Sequence, residues 1–294
     1  MSNVSKFGTT PEKIMTLWKL TMPLNRRELL RDVALGSLLV PIMTGPAGAA
    51  DADPIEEKKC TLLGKHVLPE GKQAVQGLAV GTKHCFASTN AGGKGLLHRF
   101  TYDWTFVDST SIPLEGVDHI GAISHHHGSI WGGWLTSKGP RKSIVTELRA
   151  RDLKILRQFD ITSDITWIDP VFFDGTHVWI GDLSDLGIHR YEIKKERLVR
   201  NAVFRYPPAM HFSQGLVIRD KRLYTIHTFG EMDGLYEFDL DKLVPGKENR
   251  PQRSWPIAES TMHLEGFDFV PGTRDQLWHS QGQQVDRWQL DGLA

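Results

Sequence analysis

A five-residue pattern that returns five times constrains this chain more than any other feature. Gln76-Gly77-Leu78-Ala79-Val80, His119-Ile120-Gly121-Ala122-Ile123, Asp169-Pro170-Val171-Phe172-Phe173, Gln214-Gly215-Leu216-Val217-Ile218 and Glu265-Gly266-Phe267-Asp268-Phe269 begin 43, 50, 45 and 51 residues apart. A second segment follows each: His84 to Ser88, Ile130 to Trp134, Val178 to Asp182, Leu223 to His227 and Leu277 to Gln281. Third segments end in Leu97-His98-Arg99-Phe100, Val145-Thr146-Glu147-Leu148, His189-Arg190-Tyr191-Glu192, Leu235-Tyr236-Glu237-Phe238 and Val285-Asp286-Arg287-Trp288. Fourth segments complete only four repeats, at Val107 to Leu114, Leu153 to Ile161, Leu198 to Tyr206 and Arg253 to Ile257. Apolar residues alternate with the period of two that belongs to strands, and no stretch after residue 50 carries helical spacing. Four short strands in each unit of roughly 40 to 50 residues is the pattern of a β-propeller blade.

The fifth repeat stops after its third strand, and Cys60-Thr61-Leu62-Leu63-Gly64-Lys65-His66-Val67-Leu68-Pro69 precedes the first pattern as fourth strands precede the others. The expected fold is therefore all-β: a five-bladed β-propeller whose last blade takes its outer strand from the N-terminus of the mature chain. Such closure removes an open sheet edge. An irregular β-sandwich explains neither the repeat spacing nor the complementary gap.

Ahead of the repeats lies an address. Arg26-Arg27 stands before the apolar run Val33-Ala34-Leu35-Gly36-Ser37-Leu38-Leu39-Val40-Pro41-Ile42-Met43, and Ala47-Gly48-Ala49 follows. The run is shorter than the roughly 20 residues a membrane-spanning helix needs. A basic segment, an apolar segment and a small-residue cleavage site in that order predict a signal peptide over residues 1–49, and the paired arginines predict the twin-arginine (Tat) route. Residues 50–59, with Glu56-Glu57-Lys58-Lys59, read as a linker, and 60–294 as the propeller. The expected location is the periplasm or the medium, with no stable membrane insertion.

Charge and cysteine content exclude several classes. The chain has 35 basic and 35 acidic residues. Cleavage after residue 49 takes away six basic and three acidic residues, leaving 29 against 32. A nucleic-acid partner, which demands a basic excess, is not expected. Cys60 and Cys85 are too few for a disulfide scaffold or a thiolate zinc cluster; they either pair after export or stay as buried thiols. The expected molecule is a monomer with a small-molecule or sugar ligand.

Phe212-Ser213-Gln214-Gly215-Leu216-Val217-Ile218 with Arg222-Leu223-Tyr224, and Gln76-Gly77-Leu78 with Phe86-Ala87-Ser88-Thr89-Asn90, resemble the repeats of plant- and bacterial-type glutaminyl cyclases. That resemblance implies a five-bladed propeller with an F-T-Q-G-L strand followed by L-Y-E-S-T-G. It also implies a proton-transferring Glu in the E-S-T-G segment. The positions concerned are Ala87 and Thr225 here, and neither transfers a proton in that way. The fold carries over and the cyclase activity does not. Lactonase-like and strictosidine-synthase-like propellers share the Q-G-L strand loosely.

In a propeller the loops entering each first strand and leaving each second strand gather on one face. That rule sets Gln76, His119, Asp169, Gln214 and Glu265 at the channel entrance, with His211 and His263 just before the last two patterns. At the exits of the second strands it sets Asn90, Trp134, Asp182, His227, His279 and Gln281. Two carboxylates, an imidazole and two amides suit a divalent metal, calcium or zinc, with His119, Asp169 and Glu265 as its ligands; lactonase-like propellers hold a calcium at this place. An interblade hydrogen-bond network with trapped water is the alternative reading. His211, His227 and His263 are the expected general bases. Gln76, Asn90, Trp134, Asp182, Gln214, His279 and Gln281 are the expected ligand contacts, and Trp134, Trp167 and Phe229 a stacking wall. His125-His126-His127 falls in a turn on the opposite face and reads as solvated. No nucleophile motif chooses among hydrolase, lyase and isomerase chemistry, and a non-catalytic carbohydrate- or ligand-binding propeller stands beside them.

Overall fold

The structure, a computed structural model, describes residues 54–69, 75–90, 94–111, 114, 116–136, 140–210, 212–228, 232–257 and 264–293. The predicted signal peptide, His211, His263 and Phe229 lie outside the described residues.

Among the described residues, twenty-one strands form five sheets. Two come before the repeats, β1 (Glu56–Glu57) and β2 (Cys60–Val67). Blade one is β3 (Val75–Val80), β4 (Cys85–Thr89), β5 (Leu96–Phe100) and β6 (Phe106–Ser111); blade two is β7 (His119–His126), β8 (Ser129–Leu135), β9 (Ser143–Arg149) and β10 (Lys154–Asp160). Blade three is β11 (Ile168–Phe173), β12 (His177–Asp182), β13 (Gly187–Lys194) and β14 (Arg197–Arg205). In blade four β15 (Ser213–Arg219), β16 (Arg222–His227), β17 (Gly234–Asp239) and β18 (Arg253–Trp255) run from inside to outside, and blade five has β19 (Phe267–Phe269), β20 (Gln276–Gln281) and β21 (Gln284–Leu290).

Blade five is completed by β2. Its Cα partners run antiparallel from Cys60 opposite Leu290 to Val67 opposite Gln284, with a bulge between Leu62 and Gly64. The ladders among the four main strands of each blade are antiparallel, as short hairpin connections require. One pairing departs from the linker reading of residues 50–59: Glu56 and Glu57 lie parallel to Arg253 and Ser254, adding a two-residue fifth strand to blade four.

The glycine that follows the polar residue in three of the patterns has a steric cause. A Cβ on Gly77 would lie 2.5 Å from Cα of Ala122 on the next blade, and one on Gly266 would lie 2.5 Å from Cα of Gly77. On Gly215 it would meet the Phe267 ring at 2.7 Å. On these three blades the innermost strands approach their neighbours so closely that a side chain has no room, and glycine is used.

Alternation along the outer strands fills the seams between blades. Leu78, Ala87 and Phe100 of blade one pack with Trp278 and Val285 of blade five. Trp131, Val145 and Phe159 of blade two pack with Val171, Ile180 and Tyr191 of blade three. Large side chains that are completely enclosed, such as Trp131, Trp134, Tyr191 and Trp255, contribute roughly 1.5–3 kcal/mol each in apolar burial. The two cysteines are unpaired. Burial pushes the Cys60 thiol up to about 11 and the Cys85 thiol further in the same direction, so both stay protonated at neutral pH.

Candidate functional site

The five innermost strands touch one another around the axis, and their leading ends bring polar residues to the channel mouth. Gln76, Gln214 and Glu265 are each 9% exposed and Asp169 1%. Hydrogen bonds tie these ends from blade to blade. The Gly266 N–H donates to the Gln76 carbonyl at 3.0 Å, and the Gln76 side-chain Nε2 donates to Glu265 Oε1 at 3.4 Å. Asp169 Oδ1 accepts the backbone N–H of Ala122 at 2.8 Å.

Asn90 follows directly on β4 and reaches across to blade two. Its Oδ1 accepts the Ile120 N–H at 2.8 Å, which fixes the orientation of the amide. Asn90 Nδ2 then faces His119 Nδ1 at 2.9 Å. An amide nitrogen only donates, so Nδ1 accepts and the proton of the neutral ring sits on Nε2. That Nε2 is buried and has no hydrogen-bond partner. Burial, opposed by the Asp118 charge, holds the imidazole down to about 4 and therefore neutral.

The two carboxylates are displaced the other way. Burial raises Asp169 to about 8, against the pull of the Ala122 N–H. Burial first and the Asp169 charge second hold Glu265 well above the usual carboxylate range, with the Gln76 bond opposing. Two like groups that feel each other in a dry channel keep protons rather than carry two charges. Glu265 Oε1 is engaged by Gln76, while Oε2 is buried without a partner.

The metal expectation finds no matching geometry. Among the described residues no three His, Cys, Asp or Glu side chains converge as a ligand set. His119 has its Nδ1 against an amide donor and its proton on Nε2, so it presents no lone pair for an ion.

The second strands do not deliver their side chains to the mouth as the loop rule predicts. A strand side chain inside a blade points toward one of the two neighbouring blades, not along the channel axis. Trp134 is wholly enclosed, with its indole N–H donating to Thr146, so it offers no open stacking wall. Trp167, only partly buried, carries the Arg141 guanidinium 4.7 Å above its ring. Asp182 accepts the Ser184 N–H at 2.8 Å in its own turn. His227 is 0% exposed, with Nε2 2.9 Å from the Thr225 hydroxyl and its ring 4.6 Å from Tyr206 and 5.7 Å from Tyr236. Gln281 is likewise buried, on the same strand as the wholly enclosed His279. Neither ring nitrogen of His279 has a partner, and burial holds it down to about 3. Among the second-strand candidates, Asn90 bonds across to His119 and Ile120 on the next blade's first strand. Ala122, whose backbone N–H holds Asp169, carries no side-chain signal that sequence reading detects. His125 bonds within its own turn, accepting the Gly128 N–H at 3.2 Å.

No family model matches this sequence, and no curated protein does. The fold is similar to the crystal structure of Myxococcus xanthus glutaminyl cyclase, with a TM-score of 0.62 over 81% of this chain and 99% of that one at 10% identity. It is also similar to a putative gluconolactonase, with a TM-score of 0.50 over 71% of each chain at 14% identity. At such identities the likeness is one of fold, and it bears out the resemblance read from the repeats. Register extends the departure from the cyclase pattern. The second-strand row that holds Ala87 and Thr225 contains Gly132, Ile180 and His279 in the other blades, so no blade has a carboxylate there.

Proposed function

We propose that the channel mouth binds a small oxygen-bearing metabolite or sugar derivative and transforms it by proton transfer, with Glu265 as the acid–base group. One observation carries this reading: Glu265 is buried, held by Gln76 through Oε1, and has an Oε2 with no partner among the described residues. A carboxyl group that burial holds well above the usual carboxylate range is suited to act as a general acid. The Asp169 charge supports that state, and the buried amides of Gln76 and Gln214 are suited to orient hydroxyl or carbonyl groups. The fold class is one in which a glutaminyl cyclase and a putative gluconolactonase are built. Hydrolysis, elimination and isomerisation all use such a group. The proposal places the mature protein in the periplasm or the medium as a monomer, on the strength of Arg26-Arg27, the apolar run and Ala47-Gly48-Ala49.

A thermal-shift screen with sugars, sugar acids and lactones, followed by product analysis on each hit, tests it. Glu265→Gln keeps the shape and removes the transferable proton. Binding is expected to survive while turnover falls on the order of 10²-fold or more. Wild-type turnover in that variant would remove Glu265 from the chemistry. A hit that binds and is never converted would leave a carbohydrate- or ligand-binding propeller.

A further inference from the structure

We infer that His119 is a fixed, neutral Nε2–H donor to a carbonyl oxygen of the ligand, held in that tautomer by Asn90. The inference rests on the reading of the channel mouth as a ligand site and names the chemistry the site selects. Two contacts set the tautomer. Ile120 N–H to Asn90 Oδ1 at 2.8 Å orients the amide, and Asn90 Nδ2 to His119 Nδ1 at 2.9 Å consumes the ring's acceptor. What remains is a buried donor without an acceptor, and such a group costs about 1–3 kcal/mol if nothing fills its need. His119 opens β7 at the mouth end of blade two, two residues before Gly121, which the strand registers place in the row of Gln76, Asp169, Gln214 and Glu265.

The unmatched atom restricts the partner. A donor does not bind a cation, so metal ions and amines do not answer it. A carboxylate would answer it, but its charge would have to leave water for a buried site, a penalty that a neutral oxygen does not carry. An alcohol oxygen accepts too, yet brings an O–H that needs its own acceptor. A carbonyl accepts without donating and carries no charge. A neutral amide, ester or lactone fits, and a donor preorganised toward such an oxygen also stabilises the negative charge that develops on it during reaction. His119 thus acts as an electrophilic donor rather than a base, and Asn90 as its positioning residue.

Imidazole ¹⁵N NMR of the intact mature chain tests both parts. Nε2 is expected to be protonated and Nδ1 bare from about pH 5 to about pH 9, outside the range where the lowered ring titrates. Three probes share a small skeleton: γ-butyrolactone has the carbonyl, tetrahydrofuran lacks it, and 4-hydroxybutyrate carries the charge. The lactone should shift the His119 Nε2 signal saturably, with the other two weaker by at least about tenfold. Asn90→Leu should mix the tautomers and weaken the lactone response. Because that variant also strips Ile120 of its acceptor, the wild-type spectra decide if it fails to fold. A ring protonated on Nδ1, an equal response to tetrahydrofuran or a preference for the anion overturns the inference. So does a His119 signal that no probe moves, which leaves an ordered water as the acceptor. Turnover of Glu265→Gln is read separately, so the acid–base proposal and the donor inference fail independently.

Discussion

Asp169 on blade three accepts the backbone N–H of Ala122 on blade two at 2.8 Å, and a Cβ on Gly121 would collide with that same carboxylate. A titratable group is thus built into the closest approach of two inner strands.

Stability should therefore depend on pH through Asp169. The unfolded chain releases this proton near pH 4, whereas the native chain holds it to about 8. Native protein then binds more protons across that window, so stability is lost as pH rises through it. Asp268, raised to about 7 by burial, acts in the same direction. His119 and His279, held down to about 4 and about 3, act oppositely, but only below their ordinary value of 6.5. Between about pH 6.5 and 8 the carboxyl groups stand unopposed. Asp169→Asn should remove roughly 1 kcal/mol per pH unit of the downward slope. Urea denaturation at a series of pH values checks this, and an unchanged slope in the variant counts against it.

Gly77 and Gly64 make a matched pair. Gly77→Ala forces a Cβ to within 2.5 Å of Ala122 Cα, where backbone has to move, and should cost about 2–3 kcal/mol or more. Around Gly64 a Cβ meets nothing within 4 Å, so Gly64→Ala should stay within about 0.5 kcal/mol. Equal melting temperatures for the two variants would refute the inner-strand account.

These glycines also explain why the fold was legible. In blades one, four and five a polar residue, then glycine, then an apolar residue marks the inner strand, because three different neighbours meet there: channel, adjacent backbone and seam. On blade two the repeat set His119 in the ring, whereas the ladders place Gly121 in the row of Gln76, Asp169 and Gln214, because the sequence does not mark where the inner-strand bulge falls. The second-strand residues misled, because parity along a strand says that Trp134, His227 and Gln281 alternate, not that both faces of a blade are seams. Asn90 escapes this limit by standing one residue beyond its strand, a boundary that sequence alone locates poorly. The tautomer of His119 was beyond reach, since it depends on the Ile120 N–H orienting an amide 30 residues away.

Export is testable without the structure. The apolar run after Arg26-Arg27 is too short to span a bilayer and is followed by Ala47-Gly48-Ala49. Changing both arginines to lysine preserves charge but not the paired-arginine signal. Fractionation of a Tat-competent host should then find the precursor in the cytoplasm. Equal periplasmic yield would reject the twin-arginine assignment.

The closing strand separates two effects of truncation. Residues 60–67 form a full ladder with β21, and Cys60 and Leu62 pack against the core that Phe267, Leu277 and Trp288 share with blade four. A chain beginning at Lys72 loses that ladder and exposes the edge of residues 284–290, which invites edge-to-edge association. It should aggregate or fail to fold. A chain beginning at Cys60 loses the two-residue parallel pairing of Glu56 and Glu57 with blade four, the backbone bonds from Lys58 N–H to Ser254 and from Asp291 N–H to Lys59, and the surface ion pair of Glu56 with Arg253. Exposed pairs of that kind contribute about 0–1 kcal/mol, so this chain should remain monomeric and melt within a few degrees of the longer one. Size-exclusion chromatography and thermal melting of both chains decide the matter. A folded chain from Lys72 with unchanged melting would show that β2 is dispensable and that blade five closes on its own three strands.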